Sequence, residues 1–259
     1  MSGSTGLPPP AAIDRTVAPD DGMFARHLGE AQAYEHYFRC GFSALKIVRA
    51  ALAAADVADS DVRRVLDLPC GHGRILRMLK AAFPRAELTA CDLERPGVDF
   101  CAKQFGAVPV HSHPDPAKIA LAGPFDLIWC GSLMTHLDAP RWTGFLRLFR
   151  SLLSETGVCV FTSHGIGTED LIRGKLADYG LRDPATLLRP YRRAGFAYEP
   201  YKRGEDYGIS MAGIGWIAAR IAELPDARLV TVTEKAWDHH HDAIAFGPRF
   251  AERTHRRAA

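Results

Sequence analysis

The chain is expected to fold as an α/β domain around an open, mostly parallel sheet, and three observations carry that expectation. Short apolar runs alternate with segments of helical periodicity from about residue 65 onward, the pattern of strands joined by crossover helices. The run Val65-Leu66-Asp67-Leu68-Pro69-Cys70-Gly71-His72-Gly73-Arg74-Ile75-Leu76 breaks a strand into a glycine turn and then a helix. With 259 residues, 47% of them apolar, the chain can build one sizeable core.

Taken in order, Met1 to Gly22 is polar and proline-rich, with Pro8, Pro9, Pro10, Pro19, Asp20 and Asp21. Such a segment buries too little to fold alone, and disorder is expected to about residue 22. From His27 to Ala55, Tyr34, Tyr37, Phe38, Phe42, Leu45, Ile47, Val48 and Leu52 recur at helical spacing, which predicts an N-terminal helical cap. Seven strands follow, at Val65–Leu68, Leu88–Cys91, Val108–His111, Phe125–Cys130, Val158–Thr162, Leu229–Thr233 and Asp242–Phe246. Helices are predicted over Arg74–Ala82, Val98–Gln104, Arg141–Ser154 and Ser210–Leu224. Between the fifth strand and the last helix, residues 164–207 are an insertion with an amphipathic stretch, Thr168–Tyr179, and an aromatic one, Tyr191, Phe196, Tyr198, Tyr201 and Tyr207. An insertion of that length at the ligand-binding face is read as a helical lid. The domain is placed at 23–248, with a basic tail at 249–259.

The glycine turn is the chemical signal. Gly71 and Gly73 allow positive φ and close approach of a ligand to the backbone, and the free amides of the following helix face the same place. A dinucleotide fingerprint needs a third glycine at position 76, which is Leu76, so a dehydrogenase is not the first reading. Asp67, at the strand end, would repel a pyrophosphate but suits the ammonium of an amino-acid ligand. Asp92 closes the next strand, where α/β nucleotide folds hold ribose hydroxyls, and its two oxygens can accept from both.

These residues resemble the class I S-adenosylmethionine-dependent methyltransferases. The likeness rests on Asp67-Leu68-Pro69-Cys70-Gly71-His72-Gly73, on Asp92, on Phe125 to Leu133 and on Gly157 to Thr162. It implies a Rossmann-like seven-stranded sheet with an antiparallel last strand, and S-adenosylmethionine as cofactor with no metal. By that resemblance the cofactor lies against Asp67, Pro69, Cys70, Gly71, Gly73, Arg74, Asp92, Leu93, Ser112, His113, Cys130, Gly131 and Ser132.

A hydroxyl acceptor needs a base, and histidine suits that task near neutrality. His136 is the first candidate; His164, at the end of the fifth strand, and His240 are the others. Tyr37, Trp237 and His239 are candidate walls of the acceptor pocket. A metal reading of His239, His240 and His241 is disfavoured, because neighbours in an extended chain point to opposite sides. Asp126 is read as structural.

Composition narrows the partners. Thirty-two basic and 30 acidic side chains leave a net charge of +2, so neither nucleic acid nor an anionic membrane is the expected partner. Cys40, Cys70, Cys91, Cys101, Cys130 and Cys159 form no C-x-x-C pair, which fits a reduced, cytoplasmic protein. The expectation is a methyltransferase, monomeric or homodimeric, acting on a small molecule such as a sugar or secondary metabolite, at oxygen before nitrogen. The alternatives are methylation of protein or RNA, and a non-catalytic binder of the same cofactor.

Overall fold

A computed structural model describes residues 8–24, 29–202, 204 and 206–249 of the chain. Helix α1 (Glu30–Ala54) precedes the sheet as one continuous cap. The core then runs β1 (Arg64–Asp67), α2 (Leu76–Ala82), β2 (Glu87–Asp92), α3 (Arg95–Phe105), β3 (Val108–His111), β4 (Phe125–Cys130), α4 (Ala139–Leu152) and β5 (Leu153–His164). The insertion contributes α5 (Ile166–Arg173), α6 (Leu188–Ala194), β6 (Phe196–Pro200) and β7 (Gly208–Ala212). Helix α7 (Ile214–Ala222) and the strands β8 (Ala227–Trp237) and β9 (His241–Pro248) complete the chain.

The main sheet has seven strands in the order β3-β2-β1-β4-β5-β9-β8. Strands β1 to β5 pair in parallel, and β9 is antiparallel to both β5 and β8. Successive residues of each central strand serve opposite faces. Val65, Leu127 and Val160 join the layer built with α1, α2 and α3, whereas Leu66, Ile128 and Phe161 join the one built around Trp142, Phe149 and Ile217. Strands covered on both sides in this way read as continuous apolar runs. At the far end from the glycine turn, Asp126 accepts hydrogen bonds from the amides of Arg63 and Arg64 and from the Ser154 hydroxyl, tying three strands together. Among the described residues, no helix is long and apolar enough to cross a membrane.

Two elements differ from the sequence-based expectation. Residues 8–24 pack onto the domain, with Ile13, Ala18 and Asp21 buried; residues 1–7 lie outside the described residues, as do 250–259 of the basic tail. The buried Arg77 guanidinium donates to the carbonyls of Asp14 and Thr16, and Gln104 donates to the Asp14 carboxylate. Backbone carbonyls thus anchor a segment that has few apolar residues of its own. The insertion is not purely helical: β6 and β7 form an antiparallel hairpin, so Ser210–Ala212 belongs to a strand and α7 begins only at Ile214.

Candidate active site

The glycine turn leaves β1 with Gly71 at φ 48° and Gly73 at φ 76°. A Cβ on Gly73 would strike Phe105 at 2.4 Å, whereas at Gly71 it would meet nothing within 4 Å. Gly73 is therefore required by packing as well as φ, and Gly71 leaves open space above the turn. The Asp92 carboxylate accepts from the Gly71 amide at 2.7 Å and from the Glu94 amide at 3.1 Å. It shapes the turn while also presenting itself at the strand end. Leu93, beside it, is 55% exposed, an apolar face available to a flat ligand.

Asp67 is the anomaly. It is 1% exposed, and neither carboxylate oxygen has a well-aligned hydrogen-bond partner among the described residues. Burial first, and the charge of Asp92 second, push its pKa well above the usual carboxylate value, with only weak relief from the Leu76 amide and Arg74. A buried carboxylate left without partners carries a large desolvation cost, which a cation placed above the turn would offset. Arg74 reaches the same region. Its guanidinium lies 5.5 Å from the Trp237 ring centroid and 6.0 Å from that of Tyr37, within cation–π range. An anion site and a cation site seven residues apart match the two ends of an amino acid.

Four of the expected positions take other parts. Tyr37 is fully buried and donates its hydroxyl to Asp21 at 2.7 Å, so it supports the cap and the Arg74 side chain rather than lining an acceptor pocket. Trp237 is 4% exposed, donates to the Cys40 carbonyl and packs edge-on against Trp129; it too is a support. His239 is exposed at φ 64° in the turn before β9 and faces solvent. His113 accepts from the Asp115 amide and borders an open cleft of about 770 Å³ beside α4, whose lining includes neither Asp67 nor Asp92.

The remaining candidates sit around the turn and the neighbouring strand ends. Pro69 and Cys70 are parts of the turn, and the Cys70 thiol donates to the Gly71 carbonyl. The hydrogen bond with the Cys101 thiol, then burial, raises the Cys70 thiol far above its ordinary range, and burial does the same for Cys130. Both stay protonated. Ser112 donates its amide to the Asp92 carbonyl. A Cβ on Gly131 would meet the Trp129 indole at 2.8 Å, and the Ser132 amide donates to Thr162.

The histidines are organised by β7, part of which the sequence pattern predicts as helix. His136, in the turn before α4, donates from Nδ1 to the Gly208 carbonyl at 2.9 Å, and the Tyr201 oxygen lies 3.1 Å from the same nitrogen. His164 donates from Nδ1 to the Ser210 carbonyl at 3.2 Å. A carbonyl only accepts, so these bonds place the proton on Nδ1 and leave Nε2 as the basic nitrogen. Burial lowers the pKa of His136. His136 also stacks on Tyr207, at 4.7 Å between ring centroids, forming an aromatic wall with Tyr201.

Residues 66–159 match a family model described as a methyltransferase domain. That segment resembles a methyltransferase domain. The chain's fold is that of a S-adenosylmethionine-dependent methyltransferase from Clostridium acetobutylicum, which aligns with a TM-score of 0.56 at 15% identity over 83% of this chain and 96% of the other. The CcbJ methyltransferase from Streptomyces caelestis aligns at 0.53, with 15% identity over 80% and 94%. Among curated proteins, a malonyl-[acyl-carrier protein] O-methyltransferase from Magnetococcus marinus is 30% identical over 152 residues, 53% of this chain and 55% of that protein. The chain spans about half the length of the curated relatives it matches. The matched segment runs from β1 into β5, and the histidine-bearing insertion and β8–β9 turn lie outside it.

Proposed function

We propose that this chain transfers the methyl group of S-adenosylmethionine to an oxygen of a small-molecule acceptor. The observation that carries the reading is the buried Asp67 carboxylate, which has no well-aligned hydrogen-bond partner and lies within electrostatic reach of Arg74. In this reading Asp67 takes the ammonium and Arg74 the carboxylate of the cofactor's amino-acid end, Asp92 the ribose hydroxyls, and Leu93 one face of the adenine. Bound there, the cofactor supplies a methyl group activated by a cationic sulfur.

The protein then supplies alignment, exclusion of water and a base. His136 is neutral near pH 7 because burial holds its pKa below the usual histidine value. Its Nδ1–H is tied to Gly208, and Nε2 is the atom that would take the acceptor's hydroxyl proton. Tyr201 and Tyr207 flank it and suit an acceptor with a flat or apolar surface. The aromatic wall and near-zero net charge favour a small molecule over nucleic acid.

The names of the curated relatives favour a second reading, in which the acceptor oxygen is a carboxylate presented by a carrier protein. A carboxylate is already a nucleophile and needs no base. Transfer of a labelled methyl group to a panel of phenols, sugars and carboxylates, with wild type and His136→Gln, separates the two. Slowed transfer to a hydroxyl acceptor supports the first reading. Transfer to carboxylates alone, indifferent to His136→Gln, supports the second.

A further inference from the structure

Beside the proposed base lies a cluster that methyl transfer does not require. His164 ends β5 and His241 opens β9, and the two are register partners in the sheet. His240 belongs to the preceding turn, where Asp238 and His239 adopt φ of 48° and 64°. Strand alternation does not separate these rings, because His240 lies in the turn and its ring packs against those of His164 and His241. The ring centroids are 4.3 Å apart for His240 and His241, 4.7 Å for His164 and His241, and 6.1 Å for His164 and His240.

One nitrogen of each ring is already partnered. His164 Nδ1 donates to the Ser210 carbonyl, His240 Nδ1 donates to the Asp238 carbonyl at 2.8 Å, and His241 Nδ1 lies 3.3 Å from the Thr162 hydroxyl. Ligating histidines characteristically donate their second ring N–H to a carbonyl or other acceptor, which fixes the tautomer and aims the free nitrogen. One ligand nitrogen from each of the three lies within 4.8 Å of the others. A tetrahedral zinc ion bound at ~2.0–2.1 Å spaces its nitrogens by about 3.4 Å, so contraction by small side-chain rotations closes the site.

We propose that His164, His240 and His241 form a three-histidine site for a divalent transition-metal ion of the zinc class. A three-histidine set leaves a fourth position for water or an acceptor oxygen. Transfer from a sulfonium needs no metal, so the ion acts on the acceptor side of the site.

The test is direct binding to the tag-free full chain after chelator treatment and dialysis. Zinc titrated by calorimetry should bind one to one with a dissociation constant on the order of micromolar or tighter, and cobalt(II) should give the intense visible absorption of a tetrahedral complex. His240→Gln and His241→Gln should each weaken zinc binding at least about tenfold, with far-ultraviolet circular dichroism unchanged. His239→Gln, at the exposed neighbour, should leave it within about twofold. Absence of submillimolar zinc binding overturns the proposal. So does binding that survives both glutamine variants but is lost in Cys40→Ser, which would place the ion at the separate His36, Cys40 and Asp238 group.

Discussion

Replacing Asp67 by asparagine should raise the stability of the free protein while weakening its grip on the cofactor. The two effects have one cause. Without a ligand, the carboxylate is buried, unpartnered and pushed toward its protonated form by burial and by Asp92. A folded-state pKa above the ordinary value of 3.8 means that the native state binds a proton more tightly than the unfolded chain does. Stability therefore falls as pH rises from the unfolded value through the folded one, and the whole penalty stands above that window. Asparagine has the same shape and no charge, so at pH 7 to 8 the variant should melt higher, by about 2–4 °C for each kcal/mol relieved. Toward about pH 4 the difference should vanish, because both side chains are then neutral. The loss appears on binding. A hydrogen bond to a charged partner contributes about 1.5–3 kcal/mol, so affinity for S-adenosylhomocysteine should drop about 10- to 150-fold. Differential scanning fluorimetry across pH and calorimetric titration measure the two halves. An asparagine variant that melts no higher than wild type and binds the cofactor equally well would refute the reasoning.

Other perturbations probe separate links. Asp92→Ala should lose nearly all cofactor affinity and also destabilise the apo protein by about 1–3 kcal/mol, since the Gly71 and Glu94 amides lose their acceptor; chemical denaturation reads the second effect. In the hydroxyl-acceptor reading, kcat/KM should climb as pH rises through the His136 pKa, which burial holds below the ordinary histidine value, and level off above it. His136→Gln should remove that acid limb and slow transfer about 10²- to 10⁴-fold, with cofactor affinity unchanged. Arg77→Met should cost about 3 kcal/mol or more, because five oxygens lose a donor, and limited proteolysis should then cut within residues 8–24.

The parts of the molecule legible in the sequence were those whose physics is local. The strand, glycine turn and helix at 65–76 announce themselves because φ, packing and strand burial act within a dozen residues, and Asp92 follows from its place one strand later. The alternation of strands and helices gave the sheet for the same reason. Aromatic residues were less informative: Tyr37 and Trp237 are as apolar in a core as in a pocket wall, and only the contacts with Asp21, Cys40 and Arg74 decide between them. The order of the N-terminal segment is not legible in its composition, because Arg77, 61 residues beyond Thr16, grips it through backbone carbonyls. Likewise β7 was hidden. Its carbonyls at Gly208 and Ser210 orient His136 and His164, and a backbone acceptor has no sequence signature. His240 was separated from His241 by an argument valid for extended chain, whereas the turn uses left-handed φ.

The central claim is that the glycine turn, Asp67, Arg74 and Asp92 form a cradle for S-adenosylmethionine. It is tested most directly by calorimetric titration of the purified chain with S-adenosylmethionine, S-adenosylhomocysteine and NAD. One-to-one binding of the first two on the order of micromolar, with none of NAD, is the predicted result. Binding of NAD without either sulfur ligand would contradict it.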